Sequence, residues 1–168
     1  MGPIPIVGST FYFIIHIYVC MKKILVMGLP GSGKTTLSIE LTKSLNAVHF
    51  NADEIRKKIH KDLTFDIEDR IEHAKRMGIL CDIVNRTGVY AIADFVCPIE
   101  STREAFGSKQ SFVIWIDRTP CRNYEDTTGM FVAPKEYHVR VTDEKTLNEW
   151  TEYISSFIKS IDKPDYAI

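Results

Sequence analysis

The chain has 168 residues, a length that suits one α/β domain and leaves too little chain for two full domains. Hydrophobic residues make up 45% of it and charged residues 26%, a composition that excludes a disordered, collagenous or low-complexity protein. The 21 Lys and Arg residues nearly balance the 22 Asp and Glu residues, for a net charge of -1. No global field therefore attracts nucleic acid or an anionic membrane, and any anion-binding site must be local.

Residues 1–20 have a different character from the remainder. Residues 4–20 are strongly apolar, but the run is short, contains Pro5, Gly8 and His16, and has no basic residue before it. It is thus a poor match to a membrane anchor or a signal sequence. We expect residues 1–20 to be an apolar extension or a misassigned start, and residues 21–168 to be the functional domain. A weak anchor and an extra packed strand are the alternatives.

Strands and helices are predicted to alternate from residue 22 onward. Apolar runs predict strands at residues 23–27, 47–50, 89–95, 111–116 and 137–141. Spacings of three and four predict helices after the first strand, from near residue 53, over residues 66–86 and over residues 144–161. The aromatic stripe of the last helix is interpreted as core packing. Because the strands are apolar throughout, the pattern predicts a three-layer α/β fold whose mostly parallel five-stranded sheet has helices on both faces.

The four cysteines, Cys20, Cys81, Cys97 and Cys121, are scattered, and none has a second cysteine or a histidine at metal-ligand spacing. We expect reduced thiols in a cytoplasmic protein.

A glycine-rich segment follows the first predicted strand and opens the first helix. It matches the phosphate-binding pattern G-x-x-x-x-G-K-[ST] without a mismatch and consists of Gly28, Leu29, Pro30, Gly31, Ser32, Gly33, Lys34 and Thr35, followed by Thr36. Unpaired amides at a helix start can hold a polyphosphate, Lys34 is expected to reach the β- and γ-phosphates, and the Thr35 hydroxyl is expected to bind Mg²⁺. The segment predicts an ATP and Mg²⁺ site; a glycine turn that only caps a helix is the alternative.

A carboxylate and a guanidinium follow the second predicted strand, in the sequence Asn51-Ala52-Asp53-Glu54-Ile55-Arg56. Ligands bind at the carboxyl ends of the strands in open α/β sheets. Asp53 there can accept the proton of an attacking hydroxyl or orient a Mg²⁺-bound water, and Arg56 can hold an anionic acceptor. The alternative for Asp53 is the N-cap of the next helix, a role compatible with the first.

Further motifs follow in order: Asp62-Leu63-Thr64-Phe65, then Asp69-Arg70, then Val96-Cys97-Pro98 with Arg103 downstream. Together with GLPGSGKTT and NADEIR, this set resembles the adenylylsulfate kinase (APS kinase) family, which has a P-loop, a DGDxxR strand end, a DLGF segment, a DR-containing helix and an ISPF/Y turn. The resemblance runs from residue 22 to about residue 103. It implies a P-loop NTPase fold and an ATP- and Mg²⁺-dependent kinase acting on a small nucleotide.

The resemblance also implies roles for individual residues. Asp53 is implied as the base, or ligand of a magnesium-bound water, that acts on the acceptor's 3′-hydroxyl. Arg56 and Arg70 are implied to clamp the acceptor's phosphosulfate, Phe65 to stack on its adenine, and Val96 and Cys97 to line its site. The alternatives are a buried core aromatic for Phe65 and a surface ion pair with a nearby acid such as Asp66 or Glu68 for Arg70. The basic run at residues 56–61 is interpreted as a solvated face rather than a nucleic-acid patch.

Several residues depart from the family pattern. The first two residues of DGD are Asn51 and Ala52, and the asparagine expected after the DR pair is His73. Asp94 stands in the third strand, where the family has a small residue; it is expected to pair with Arg56 or to approach the metal. The arginine often found after the ISPF/Y turn is Glu100.

The segment expected to close over the nucleotides also departs from the family. Only Thr128-Gly129-Met130-Phe131 resembles the family's KGLY lid segment, and Pro134 leads almost at once to the last strand. We therefore expect a shortened lid, which excludes water less well and offers the acceptor fewer contacts.

The leading hypothesis is an ATP-dependent kinase that forms 3′-phosphoadenylylsulfate. The alternatives are a polynucleotide 5′-kinase-like or other small-molecule kinase, whose acidic and basic positions resemble Asp53, Arg56 and Asp94, and a nucleotide-binding module without catalysis. No nucleic-acid or membrane partner is expected, because the chain is nearly neutral; the family resemblance allows a homodimer.

Overall fold

The computed structural model describes residues 21–118 and 129–162. The strands are β1 (Lys23–Gly28), β2 (Val48–Asn51), β3 (Ala91–Phe95), β4 (Phe112–Ile116) and β5 (Val139–Val141). The helices are α1 (Lys34–Leu45), α2 (Ala52–Lys58), α3 (Ile67–Asn85), α4 (Glu100–Phe106) and α5 (Leu147–Ile161), with a 3₁₀ turn at Ser108–Gln110. Within these residues, no helix is both long and apolar enough to cross a membrane.

The strands form one sheet in the order β2-β3-β1-β4-β5, and all four strand pairs are parallel. All six residues of the central strand β1 are buried, as expected for a strand covered on both faces. The predicted five-stranded parallel sheet is confirmed. The register pairs Met27 of β1 with Phe95 of β3, so the glycine-rich segment begins beside the end of β3.

Alternate residues of β1 divide the core into two layers, because successive side chains of a strand point to opposite faces. Ile24 and Val26 belong to a cluster with residues of α1 and α5, whereas Leu25 and Met27 pack with residues of α3 and α4. The three-layer architecture predicted from the alternation of apolar runs is therefore present.

Local signals set the ends of the longer helices. Asp66 caps α3 by accepting a hydrogen bond from the Asp69 amide at 2.9 Å. At the start of α5, Thr146 and Glu149 form a capping box. On α5, Trp150, Ile154 and Ile158 are buried, so its apolar stripe is largely core, although Tyr153 on the same helix is exposed.

Helix α4 has no clear signal in the sequence. It has only seven residues and follows the turn at Cys97 and Pro98. It packs closely against α3, since a Cβ atom at Gly78 would lie 2.4 Å from the Phe106 carbonyl oxygen. This close approach fixes α3, which carries the predicted acceptor-binding residue Arg70, against the short helix that follows β3.

Replacing Gly78 by alanine is expected to lower the free energy of unfolding by roughly 1–3 kcal/mol, the usual cost of overpacking. At an exposed helical position, the same change would instead raise the free energy of unfolding by up to about 1 kcal/mol. Urea unfolding measures the effect, with Ile79→Ala, at a 49% exposed position of the same helix, as the control. A Gly78→Ala protein as stable as the wild type would contradict the close packing.

Candidate functional site

A cavity of about 610 Å³ lies at the carboxyl ends of β1, β2 and β3. It brings together most of the predicted site: Pro30, Gly31, Gly33, Lys34, Thr35, Thr36, Asp53, Arg56, Phe65, Arg70, Val96 and Cys97. Gly28, Leu29 and Ser32 belong to the same loop but do not line the cavity. It is also lined by Phe95, Pro98 and Thr102, which have no predicted role, and by four residues that the sequence marks as departures from the family pattern: Asn51, Ala52, His73 and Asp94.

A second cavity, larger at about 850 Å³, is lined by Met21, Lys109, Lys135 and His138 among others. None of the predicted site residues lines it. Volume is therefore a weaker guide to the site than the chemistry of the lining, which favours the smaller cavity at the sheet edge.

The glycine-rich loop connects β1 to α1 with a backbone that side chains would hinder. Gly28 has φ +149°, and a Cβ atom there would lie 2.4 Å from the Ile116 carbonyl oxygen. Gly33 is the N-cap of α1 at φ +94°, in the left-handed region that favours glycine. No side chain caps α1, and its first turn carries no acidic residue, so its amides and positive dipole end are available to an anion.

Lys34 is the partly buried cation of this loop. Its Nζ donates to the Leu29 carbonyl oxygen at 2.7 Å. Burial lowers the pKa of Lys34 to about 8, against the opposing attraction of Asp94 and Asp53. A bound polyphosphate would add negative charge beside this ammonium group and restore its charged form.

The end of β2 differs from the sequence interpretation in one respect. Asn51, not Asp53, is the N-cap of α2, because its side chain accepts a hydrogen bond from the Glu54 amide at 3.0 Å. The capping alternative for Asp53 is therefore wrong. Asp53 lies in the first turn of α2, exposed and lining the cavity, where its carboxylate is accessible to a ligand.

Asn51 also links the loop to β3. Its Nδ2 donates to Thr35 Oγ1 at 3.1 Å and to Asp94 Oδ1 at 2.9 Å. The expected pairing of Asp94 with Arg56 is not found, since Arg56 donates to the carbonyl oxygens of Leu63 and Thr64.

Two guanidinium groups flank one exposed ring. Arg56 Cζ lies 4.7 Å and Arg70 Cζ 5.5 Å from the Phe65 ring centroid, and Arg70 Nε donates to the Phe65 carbonyl oxygen at 2.6 Å. Phe65 is 64% exposed, so its alternative as a buried core aromatic is wrong. Burial, and then repulsion by Arg70, lower the pKa of Arg56, which marks this place as electropositive. An anion with an aromatic base is the ligand chemistry that such a pair of arginines and a ring would recognise.

The basic run at residues 56–61 is only partly a solvated face. Lys57 and Lys58 are exposed, but His60 is 4% exposed and lies against His73, with 2.8 Å between their Nδ1 atoms. Burial is the main reason that the pKa of His73 is lowered to about 3, with added repulsion from Arg56; the pKa of His60 is lowered too. The pairing of two histidines 13 residues apart left no signal in the sequence.

The turn after β3 is held from behind by Arg103, which is 3% exposed. Its guanidinium donates to the carbonyl oxygens of Cys97, Pro98 and Val132. It also lies 5.7 Å from the Phe131 ring, so the described end of the predicted lid segment, Gly129–Phe131, is tied to the cavity wall; Thr128 lies outside the described residues.

Cys97 is buried with φ +48°, and burial raises its pKa and that of Cys81 to about 12, so both are protonated thiols. Cys20 and Cys121 lie outside the described residues.

A family model described as adenylylsulphate kinase matches residues 21–141. The chain belongs to this family. It is 34% identical to adenylyl-sulfate kinase 3 from Arabidopsis thaliana over 48% of this chain and 41% of that protein, and 24% identical to an adenylyl-sulfate kinase from Staphylococcus carnosus over 79% of this chain and 81% of that one. Its fold matches the Mycobacterium tuberculosis APS kinase CysC solved with AMPPNP and APS, at a TM-score of 0.71 and 17% identity over 82% of this chain and 96% of that chain.

The match to adenylyl-sulfate kinases is uneven along the chain. The chain spans about half or less of the length of the first curated relatives it matches, between 41% and 49% for four of them. The resemblance from residue 22 to about residue 103 and the parallel-sheet fold are thus confirmed as those of the family.

Lys34 predicts how nucleotide affinity depends on pH. The Lys34 side chain of the free protein has a pKa of about 8, and an anionic ligand favours its charged form. Above that pH, ADP binding should therefore be accompanied by uptake of a proton. ADP affinity is expected to fall by up to about tenfold per pH unit above that pKa. A titration with a fluorescent ADP analogue measures it. Lys34→Arg, whose side chain stays charged, should bind with a flatter pH profile, and an equally flat wild-type profile would contradict the assignment.

The His60–His73 pair predicts an acid-sensitive fold. An unfolded histidine takes up a proton near pH 6.5, whereas His73 stays neutral down to about pH 3 in the fold, so protonation favours unfolding as the pH falls below 6.5. Wild-type stability is expected to decline between about pH 7 and about pH 5, and His73→Asn to reduce that slope. Urea midpoints across the range measure it; identical slopes for the two proteins would contradict the buried neutral pair.

Proposed function

We propose that this protein is an ATP- and Mg²⁺-dependent kinase that phosphorylates the 3′-hydroxyl of adenylylsulfate to give 3′-phosphoadenylylsulfate. One observation carries the proposal: a single cavity contains the glycine-rich loop with Lys34, the exposed carboxylate of Asp53, and the exposed Phe65 ring flanked by two arginines. Family membership and the curated names of the relatives support the same activity.

The loop side of the cavity is suited to the triphosphate. The amides at the start of α1 and the Lys34 ammonium would hold the β- and γ-phosphate oxygens, where they offset the charge of the phosphoryl group during transfer. The Ser32 hydroxyl is buried without a partner among the described residues and belongs to the same loop. These groups would hold the triphosphate of the donor in place throughout the phosphoryl transfer.

The residues at this edge also fit a divalent cation. No cluster of three or more His, Cys, Asp or Glu side chains that could hold a metal by itself occurs within residues 21–118 and 129–162. Mg²⁺ needs no such cage, since it is usually bound through one or two protein oxygens, waters and the substrate phosphates. Thr35 and Asp53 are the protein groups that the family resemblance implies, and the ion, when bound, would neutralise phosphate charge.

The arginine side of the cavity is suited to the acceptor. The adenine would stack on Phe65, and the phosphosulfate would lie against Arg56 and Arg70, whose planar forks match oxyanions. Val96 and Cys97 would form the wall of this subsite. The hydroxyl to be phosphorylated then faces the loop from the opposite side of the cavity.

Asp53 is the proposed general base. Its carboxylate accepts the proton of the 3′-hydroxyl while the hydroxyl oxygen bonds to the γ-phosphorus and the bond to the β–γ bridging oxygen breaks, which releases ADP. Holding both substrates in one cavity supplies the positioning that such a transfer mainly requires.

The remaining features of the proposal follow from charge and resemblance. Residues 21–168 would form the kinase domain and residues 1–20 an extension, in a cytoplasmic protein that acts on a small nucleotide and forms a homodimer. With a net charge of -1, neither a nucleic acid nor a membrane is proposed as a partner.

One observation favours a second candidate, a polynucleotide 5′-kinase-like activity. Asp53, Arg56 and Asp94 all line the cavity, as the acidic and basic positions of that class require. A single panel of acceptors distinguishes the candidates. ATP turnover that appears only with APS supports the proposal, turnover with 5′-hydroxyl oligonucleotides supports the second candidate, and nucleotide binding without acceptor-dependent turnover indicates a non-catalytic module.

Asp53→Asn is expected to retain ADP binding and to lose roughly 100-fold or more of APS-dependent turnover, because proton abstraction contributes about that much. Glu54→Gln, a neighbouring change in the same turn of α2, should retain turnover. An Asp53→Asn protein with wild-type turnover would reject Asp53 as the base.

Phe65→Ala is expected to raise the KM for APS by about 5- to 150-fold, the equivalent of about 1–3 kcal/mol for one stacked base, and to leave the KM for ATP nearly unchanged. Ile67→Ala, at a 45% exposed position that does not line the cavity, is the matched control. Steady-state kinetics with each substrate varied measures both constants. Equal changes in the two variants would contradict stacking on Phe65.

A further inference from the structure

Asp94 is a buried carboxylate with one oxygen left unsatisfied. The residue is 2% exposed and lines the cavity at the end of β3. Oδ1 accepts from Asn51 Nδ2 at 2.9 Å and lies 3.4 Å from His49 Nε2. Oδ2 is also buried, and no described residue donates a hydrogen bond to it. A buried carboxylate in this condition is costly unless a donor or a cation meets it.

Lys34, a cation that interacts with Asp94, already has a hydrogen-bond partner. Lys34 feels the attraction of Asp94, but its Nζ donates to the Leu29 carbonyl oxygen. The phosphates of a bound nucleotide would attract the same ammonium group and would add negative charge beside Asp94. A cation that arrives with the nucleotide would satisfy this carboxylate at the moment when its surroundings become more negative.

Asn51 joins Asp94 to the expected metal ligand of the loop. Asn51 and Asp94 are in-register partners on β2 and β3, and both Asp94 and Thr35 accept from the same Nδ2. The orientation of the amide is fixed, because its Oδ1 accepts from the Glu54 amide at the start of α2. The helix cap therefore aims the donor of Asn51 at the Thr35 hydroxyl and at Asp94 together.

Asp53 lacks these features. It is exposed, so water can satisfy its carboxylate, and it belongs to the first turn of α2 rather than to the strand end. Asp94 is buried at the strand end, beside the loop that begins at Gly28. The two carboxylates thus suit different tasks.

We propose that Asp94, rather than Asp53, is the carboxylate that secures the divalent cation of the bound nucleotide next to Thr35, with Asn51 as a positioning residue. The proposal rests on the nucleotide-binding part of the proposed function and assigns to Asp94 the magnesium role that the family resemblance implies for Asp53. Asp53 is then left to the acceptor hydroxyl. A carboxylate that acts through hydrogen bonds to cation-bound water, as magnesium sites commonly use, fits a side chain with one free oxygen.

The test measures how strongly Mg²⁺ tightens nucleotide binding, without any acceptor present. The ADP dissociation constant is determined with excess Mg²⁺ and with EDTA, and the ratio of the two is the metal linkage. In Asp94→Asn the linkage is expected to fall by roughly 10- to 100-fold, the usual loss when a group supporting a metal site is removed. Binding in EDTA should equal or exceed that of the wild type, since a negative charge near the phosphates has been removed, and it reports that the loop is folded.

Asn51→Ser provides a second variant, because serine also caps a helix but cannot bridge Thr35 and Asp94 with an amide. It is expected to lower the linkage by a smaller factor at unchanged affinity in EDTA, a combination that a merely structural role would not produce. Glu54→Gln is the control and should keep the wild-type linkage. Electron paramagnetic resonance of Mn²⁺ with ADP measures the bound cation directly and should show weaker binding in Asp94→Asn.

Wild-type linkage in Asp94→Asn, or a loss of linkage in Asp53→Asn instead, would overturn the proposal. Because no APS is used, this outcome is separate from the failure of the proposed kinase activity. A protein without APS-dependent turnover that still loses its metal linkage in Asp94→Asn would keep this inference and reject the acceptor.

Discussion

The parallel pairing of β1 with β3 on one side and β4 on the other determines the geometry of the site. β1 is buried along its whole length, so the point at which the chain leaves the sheet at Gly28 is set by hydrogen bonds on both sides. The same register places the end of β3 beside that point, and the end of β2 next to β3. The phosphate-binding loop and the polar strand ends therefore meet because of sheet pairing, before any side-chain contact is considered.

The positive charge of the cavity is local and is not a property of the whole chain. The chain is nearly neutral, yet the cavity contains Lys34 from the loop, Arg56 from α2 and Arg70 from α3. Burial lowers the pKa values of Lys34 and Arg56, which shows that these cations are held partly away from water and would gain from an anionic ligand. Two electropositive places in one cavity are suited to two anionic ligands, and the exposed carboxylate of Asp53 lies in the same cavity.

Much of this arrangement could be predicted from sequence, because it depends on periodicity and on contiguous motifs. The sheet, the loop and the long helix after Asp66 follow from such local signals. The capping role of Asn51 could not be predicted, since asparagine and aspartate are both good N-caps and only the backbone geometry shows which one caps α2. His60 lies within a basic run that looks solvated, and its burial depends on a contact with α3. The placement of Phe65 between two arginines from different helices depends on the tertiary fold, and helix α4 is too short to show a clear period.

We propose that one cavity holds a nucleotide at the loop and adenylylsulfate at the arginine side together. A crystal structure with a non-hydrolysable ATP analogue and APS tests it most directly. The triphosphate is expected on the amides at the start of α1 and the APS adenine on Phe65, with its anionic groups at Arg56 and Arg70. A nucleotide bound in the other cavity near His138, or APS bound away from Phe65, would contradict this arrangement of the two substrates.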